Sequence, residues 1–222
     1  MIDLIPPLLH SDTWLLTLQN GLGNEEFLAE HFGAERVMGG LCFICLNRVC
    51  PGVIEHFDYG PLRIGEFCGF PKARTHDVAQ EFERCEVVCS VVENLARERW
   101  RKLVWNIPFN GLATAAGGVT TQDILQDDPL RVSALGLMDE IIAAANQCGY
   151  DLASNVALEQ IERTQTMGPY KSSTLLDFEA GRPLEINAIW GEPLRRAQAA
   201  GAKTPRLEQL HAVLNSLNDG RE

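Results

Sequence analysis

Apolar and polar positions follow two different patterns along the chain, and the change falls near residue 70. Residues 1–70 contain short apolar runs separated by turn residues, a pattern typical of β-strands. The strand candidates are TWLLTLQ, RVMGGLCFICLNRV, GVIEHFD and PLRIGEF. A Gly-rich segment and a helix ending at Gly33 follow the first run, and turns are predicted at Pro51-Gly52 and Gly60-Pro61. This order predicts the last strands of an α/β sheet.

Residues 71–222 have helical periodicity almost throughout, which predicts an all-α domain. Thr120 or Thr121 is expected to cap a short helix, QDILQ. Asp128 and Pro129 are expected to start the next helix, which Gly149 ends. The other predicted helices cover residues 75–86, 90–116, 155–167, 172–180, 187–200 and 205–217.

Composition narrows the class of protein. The chain has 222 residues, 45% hydrophobic and 22% charged, ordinary values for a globular protein. No apolar run is long enough to span a membrane, and a net charge of −11 argues against nucleic acid as a partner. The first residues, MIDLIPPLLHSDTW, have neither a basic region nor a small-residue cleavage site. We therefore expect a cytoplasmic protein.

Seven cysteines raise the question of a metal or redox site. An odd number without a secretory signal indicates reduced thiols. Cys42 and Cys45 have C-x-x-C spacing, but they lie in a predicted strand, where these two positions point to opposite faces. Because no second metal-ligand pair follows, buried structural cysteines are favoured over zinc and no metal is expected.

A polar stripe interrupts the apolar segment WRKLVWNIPFN. Lys102, Asn106 and Asn110 recur every four residues and therefore share one face of a helix. One interpretation is a surface lysine with two asparagines that hydrogen-bond locally. The other is a ligand-facing stripe, in which desolvation would lower the lysine pKa and suit it to proton donation. Pro108 should kink the helix between the two asparagines.

Two further segments carry candidate chemistry. In KSSTLLDFEAGRPLEINAIWG, Ser172 or Ser173 begins a helix, and Glu185 falls at the start of the next one, where a carboxylate is favoured. Capping alone is the other interpretation of these residues. In LQNGLGNEE, Asn20 follows a buried strand at the edge where α/β sheets bind ligands. Glu26 stands where a dinucleotide fingerprint would need its third glycine, so this segment is rejected as a phosphate site.

Together these segments resemble the ketopantoate reductase (2-dehydropantoate 2-reductase) family. LQNGLGNEE is similar to the family's strand-end Asn-Gly segment, and RKLVWNIPFNGL to its Lys-x-x-x-Asn-x-x-x-Asn helix. SSTLLDFEAGRPLEINAIWG resembles its Ser-Ser, Asp, Gly-Arg, Glu-Ile segment in order and spacing. The resemblance implies the end of a Rossmann-type sheet in residues 1–70. For residues 71–222 it implies a helical domain of the 6-phosphogluconate dehydrogenase C-terminal-like type.

The resemblance also implies an activity and roles for individual residues. The family reduces 2-dehydropantoate to pantoate with NADPH, on the route to pantothenate and coenzyme A. By resemblance, Lys102 is the general acid and Glu185 orders the site or accepts a hydrogen bond from the substrate hydroxyl. Ser173 binds the substrate carboxylate, and Asn20 lies near the nicotinamide. Asn106 and Asn110 hold the substrate hydroxyl and carbonyl groups.

One departure from the family changes the expectation. The family begins with a Rossmann lobe whose glycine-rich turn holds the cofactor pyrophosphate, and no such turn occurs in this sequence. We therefore expect a chain that lacks most of that lobe and is impaired as a reductase. An incomplete sheet has an exposed edge, which predicts a homodimer. The alternatives are a reductase of another 2-keto acid and a non-catalytic helical interaction or dimerisation domain.

Overall fold

The computed structural model describes residues 2–219 and 221, with the side chains of Asn47, Phe57 and Asp58 left out of the description. The chain forms two compact units, Met1–Glu98 and Arg99–Glu222. The change of class that the sequence predicts near residue 70 lies inside the first unit. Each unit has its own buried apolar residues.

The first unit is built on a four-stranded mixed sheet with the order β1-β2-β3-β4. β1 and β2 are parallel and joined by helix α1, β2 and β3 form an antiparallel hairpin, and β4 is parallel to β3. The end of an α/β sheet that the sequence predicts is therefore present. The elements are β1 (Leu15–Thr17), α1 (Asn24–Phe32), β2 (Val37–Cys50), β3 (Val53–Glu66), α2 (Ala73–Arg84) and β4 (Cys89–Val91).

The turn predicted at Gly60-Pro61 is wrong, because β3 runs through it as one continuous strand. Cys42 pairs with Leu62 and Ile44 pairs with Tyr59, so two residues of β3 oppose one residue of β2. This is a β-bulge, and Tyr59 accommodates it with a φ of +59°. Glycine and proline thus mark a bulge here, whereas Pro51-Gly52 forms the predicted hairpin turn.

The helix predicted from residue 90 is also wrong at its start, because residues 89–91 form β4. Leu62 pairs with Cys89 and Ile64 pairs with Val91, so residues 62–64 of β3 lie between β2 and β4. β4 also covers the core of the first unit, since Cys89 packs with Met38, Leu62, Ile64 and Ala79.

The outer halves of β2 and β3 extend beyond the other two strands as a two-stranded ribbon, residues 40–61, which we call the β arm. β1 pairs with β2 only over residues 37–39, and β4 pairs with β3 only over residues 62–64. Within the described residues, neither edge of the arm pairs with a third strand. The arm exposes the apolar side chains of Ile44, Leu46, Val49, Val53 and Ile54.

A buried ion pair ties α2 to the end of β3. Arg74 donates hydrogen bonds from Nε (2.9 Å) and Nη2 to the carboxylate of Glu66, whose side chain is 1% exposed. Thr75 Oγ1 donates to the same carboxylate at 2.6 Å, and Lys72 Nζ lies 3.5 Å away. Burial alone would raise the pKa of Glu66, but these partners lower the pKa overall. Arg74 also lies over the ring of Trp14, 5.5 Å from its centroid.

The second unit is helical, as the sequence predicts. Thr120 caps α4 by accepting a hydrogen bond from Asp123 N at 3.2 Å, and Ser172 caps α7. The helices are α3 (Leu95–Ala115), which starts in the first unit, α4 (Thr121–Gln126), α5 (Asp128–Gln147), α6 (Val156–Gln165), α7 (Ser173–Glu179), α8 (Glu192–Ala199) and α9 (Pro205–Asn218). A π-helix over Asn187–Gly191 leads directly into α8.

Two large aromatic side chains fill the core of the second unit, and one carboxylate caps a helix in it. Trp100 and Trp190 are fully buried. Glu140, on α5, accepts hydrogen bonds from the backbone N–H groups of Arg206 and Leu207 at 3.0–3.1 Å. It therefore caps the N-terminus of α9, because Thr204 makes no side-chain cap there.

Candidate active site

The polar stripe predicted on α3 lies in the apolar interior of the second unit. Asn106 and Asn110 are 4% and 3% exposed, and Lys102 is partly buried. Asn110 Nδ2 donates to Thr174 Oγ1 at 3.3 Å. Asn110 Oδ1 is sealed from solvent and has no hydrogen-bond partner among the described residues. A buried acceptor without a donor costs about 1–3 kcal/mol, so it is a feature expected where a ligand supplies the donor.

Pro108 lies inside α3, and the helix continues through it. Proline removes one backbone hydrogen bond from the helix. The carbonyl oxygen of the preceding residue, Ile107, accepts a hydrogen bond from Trp190 Nε1 at 3.1 Å. The part of α3 that carries the two asparagines is therefore held by a side chain from the π-helix.

The two serines of the second predicted segment have different environments. Ser172 is buried, and its Oγ accepts a hydrogen bond from Leu175 N at 3.3 Å, so it is the helix cap. Ser173 is exposed at the first position of α7. The next residue, Thr174, is buried and contacts Asn110. Thr174 is thus a member of the site that the sequence did not single out.

Glu185 lies at the start of the segment that forms the π-helix. Burial raises the pKa of Glu185, the negative charge of Asp177 raises it further, and the positive charge of Lys102 lowers it. These effects place the three side chains within electrostatic reach of one another. Lys102 and Glu185 are thus close enough for their charges to interact. Asp177, which also accepts a hydrogen bond from Arg182 Nε at 2.7 Å, joins them.

Asn20 belongs to the first unit. It is partly buried and follows β1, and its backbone oxygen accepts a hydrogen bond from Asn24 Nδ2 at 2.9 Å. Gly21 and Gly23 have φ values of +84° and +94°, which side chains with a Cβ atom rarely adopt. The predicted Gly-rich turn is therefore present at the carboxyl end of β1.

The cysteines of the described residues are not arranged as a metal site. All seven cysteines are free thiols, and Cys42 packs against the core of the first unit. No group of three His, Cys, Asp or Glu side chains in the described part of the chain could hold a metal ion. Over the same residues, every helix is too short or too polar to cross a bilayer.

Comparison with known proteins gives matches to one family. Residues 94–218 match the family model described as ketopantoate reductase PanE/ApbA C terminal, and residues 1–69 match the model described as ketopantoate reductase PanE/ApbA. A 2-dehydropantoate 2-reductase of Nostoc sp. is 37% identical over 223 residues, covering 98% of this chain and 69% of the relative. The chain thus spans about two thirds of that relative.

Solved structures give the same result. The 2-dehydropantoate 2-reductase of Geobacter metallireducens superposes with a TM-score of 0.93 at 44% identity, over 96% of this chain and 71% of the other. The enzyme of Methylococcus capsulatus does so with a TM-score of 0.90 at 34% identity, over 97% and 69%. D-mandelate dehydrogenase, at 20% identity and a TM-score of 0.91, shares the fold.

Proposed function

Because the chain belongs to the ketopantoate reductase family, we propose that it reduces 2-dehydropantoate to pantoate, with its second unit binding the keto acid. The observation that supports this most directly is the electrostatic coupling of Lys102 and Glu185 beside a stripe of buried amides. A cation beside a site that holds a carbonyl group suits a reaction in which negative charge develops on oxygen.

Lys102 is the proton donor in this proposal. As hydride arrives at the keto carbon, the carbonyl oxygen gains negative charge, and the ammonium group stabilises it by a hydrogen bond. The proton then passes from Nζ to that oxygen, so the carbonyl becomes a hydroxyl and Lys102 becomes neutral. Glu185 keeps Lys102 protonated beforehand, because a nearby negative charge favours the ammonium form.

The remaining residues bind and orient the substrate. Asn110 Oδ1 lacks a donor, and a substrate hydroxyl would supply one. Asn106 offers a second buried amide on the same stripe. Ser173, at the exposed start of α7, donates its hydroxyl hydrogen to the substrate carboxylate. The carboxylate of Glu185 orders the site through its interaction with the charge of Lys102.

A nicotinamide dinucleotide, NADPH in this proposal, supplies the hydride. The Gly-rich turn around Asn20 gives a flat ring room to approach the backbone, which supports a place for the nicotinamide beside Asn20. No residue of this chain is assigned to the pyrophosphate or to the 2′-phosphate.

Substitution of Lys102 tests the proposal. Turnover of 2-dehydropantoate is followed with NADPH and, in parallel, with NADH and other 2-keto acids. Lys102→Met should lower kcat by about 10²–10⁴-fold, because the general acid is lost. Lys203→Met, at an exposed lysine, is the control and should leave kcat unchanged. Equal rates for the two variants would contradict the role of Lys102. Faster turnover of another 2-keto acid would show that this acid, and not 2-dehydropantoate, is the preferred substrate.

We also propose that the β arm pairs with the β arm of a second copy. No third strand lies beside it in the described part of the sheet, and a two-stranded ribbon is marginal by itself. The arm holds one basic and two acidic residues, so it lacks the strong repulsion that a chain of net charge −11 would otherwise produce.

Sedimentation of the native chain at micromolar concentration should show a dimer. Ile54→Lys places a charge on the exposed apolar face of the arm and should give a monomer. Leu158→Lys, at an exposed leucine of α6, should remain dimeric. A native monomer, or a dimer that survives Ile54→Lys, would contradict this interface.

A further inference from the structure

We propose that Trp190 is a positioning residue, which sets the placement of Glu185 relative to the polar stripe of α3 through its indole. This inference rests on the proposed function, in which Lys102 and Glu185 act together on the substrate. Trp190 itself does not face the substrate, because it is fully buried in the second unit. Its effect on the site is therefore indirect.

The hydrogen bond from the indole reaches the centre of the stripe. Trp190 Nε1 donates to the carbonyl oxygen of Ile107 at 3.1 Å, and Ile107 lies between Asn106 and Pro108. Pro108 has no backbone N–H, so α3 lacks one of its own hydrogen bonds at this point. The indole of Trp190 adds a hydrogen bond to the same turn of α3. This bond links the π-helix to α3 at a set distance and direction.

Close packing at Gly111 makes this placement specific. A Cβ atom at position 111 would lie 3.0 Å from Trp190 Nε1 and 2.7 Å from Leu210 Cδ2. Both distances are shorter than ordinary van der Waals contacts. A methyl group at position 111 would therefore crowd the indole that reaches Ile107. Glycine is present here although it disfavours a helix interior by about 1 kcal/mol relative to alanine.

The backbone of the π-helix connects Trp190 to Glu185, so the position of one depends on the position of the other. Glu185 directly precedes the helical segment that begins at Ile186 and contains Trp190, and Ile189 N donates to Glu185 O at 3.2 Å. The π-helix, a wider turn than an α-helix, comes just before Pro193. Because Pro193 has no backbone N–H, it cannot donate to the carbonyl oxygen four residues earlier, inside the π-helix. A shift of the indole would therefore move the backbone of Glu185 with it, and with it the distance from the Glu185 carboxyl to Lys102.

A pair of matched variants separates positioning from packing. Trp190→Phe removes the indole hydrogen bond and keeps an aromatic ring. Trp105→Phe is the control, because Trp105 lies on the same helix and its Nε1 donates instead to Thr164 Oγ1 on α6, at 2.8 Å. Both variants lose one indole hydrogen bond, so a general loss of stability would affect them alike.

The first measurement does not depend on turnover. The chain has four lysines, so Lys102 can be followed by NMR after isotopic methylation and assigned with Lys102→Arg. The Lys102 signal should report the titration of Glu185, because the two charges interact. In Trp190→Phe the inflection should move away from its native position, since a displaced Glu185 carboxyl changes both its solvation and its distance from Lys102. In Trp105→Phe it should stay where it is in the native chain.

The second measurement is turnover. Trp190→Phe should lower kcat by about ten- to a hundredfold with little change in KM, because a small misplacement of a reacting group has that cost. Gly111→Ala should act in the same direction, and it also tests the inference if Trp190→Phe does not fold. A Lys102 titration in Trp190→Phe and Gly111→Ala that matches the native chain would overturn the inference. A native chain without turnover, but with the expected NMR shifts, would refute the proposed function and keep the positioning role.

Discussion

Breaking the buried ion pair between Glu66 and Arg74 should strongly destabilise the first unit. Arg74→Met removes the guanidinium and keeps most of the apolar length of the side chain. It leaves a carboxylate that is 1% exposed without its two hydrogen bonds from Arg74. Breaking a buried pair in this way costs about 3–5 kcal/mol. Because Thr75 and Lys72 still contact Glu66, we expect the lower end of that range.

The pH dependence of this effect follows from the lowered pKa of Glu66. A carboxylate with a lowered folded-state pKa adds stability above its unfolded value of 4.5, and that stability is lost as the pH falls through the folded-state value. In Arg74→Met the buried carboxylate of Glu66 lacks its main positive partner. Protonation of Glu66 at low pH removes this uncompensated charge and its energetic cost. The difference in stability between the native chain and Arg74→Met should therefore be largest at neutral pH and shrink below 4.5.

Calorimetry and hydrogen exchange measure this difference. In a unit of this size, 3 kcal/mol corresponds to a fall in Tm of about 12 °C or more. The amides of β3, where Glu66 lies, should lose protection by a matching amount. The control is Arg84→Met, because Arg84 pairs with Glu81 while both side chains are more than 60% exposed. Such pairs contribute about 0–1 kcal/mol. Equal effects of Arg74→Met and Arg84→Met would refute the reasoning.

Three further predictions concern the second unit. Glu185→Gln should stabilise the chain at neutral pH but not below 4.5, because a raised folded-state pKa makes the native state lose stability as the pH rises; Tm against pH measures this. Gly111→Ala should lower the free energy of unfolding by about 1–3 kcal/mol despite its better helix propensity, since its Cβ overlaps Trp190 and Leu210; urea unfolding measures it. Glu140→Ala should cost about 1–3 kcal/mol and speed hydrogen exchange at the start of α9, where two backbone N–H groups lose their acceptor.

The elements that the sequence predicted well are those with a strong local signal. Thr120 and Ser172 have caps that hydrogen-bond within three residues, and the structure confirms both. Gly33 ends α1 with a φ of +97°, a conformation that favours glycine. Such features depend on neighbours in the chain, so they can be identified without knowledge of the fold.

The elements that the sequence missed depend on distant partners. β4 has three residues, and only its pairing with β3 makes it a strand. Gly60-Pro61 has the composition of a turn, but its position opposite β2 makes it a bulge. The shape of each of these segments is decided by tertiary pairing, which overrides local propensity.

In the candidate site, too, features with a local signal were predicted and features that depend on distant residues were missed. The spacing of Lys102, Asn106 and Asn110 was sufficient to predict that they share a face. Thr174 was missed as a site member, because its hydrogen bond with Asn110 joins residues far apart in the chain. The roles of Asn20 and Ser173 stay predictions, since each is supported by the family resemblance and by its position in the fold.

The distribution of tryptophan has a practical consequence. Trp14 is the only indole of the first unit and is about half exposed beside Arg74. The other three, Trp100, Trp105 and Trp190, belong to the second unit, where Trp100 and Trp190 are fully buried. The intrinsic fluorescence of the chain therefore comes mainly from the second unit, with a smaller contribution at longer wavelength from Trp14. In a Trp14→Phe chain, the emission would follow the unfolding of the helical unit alone.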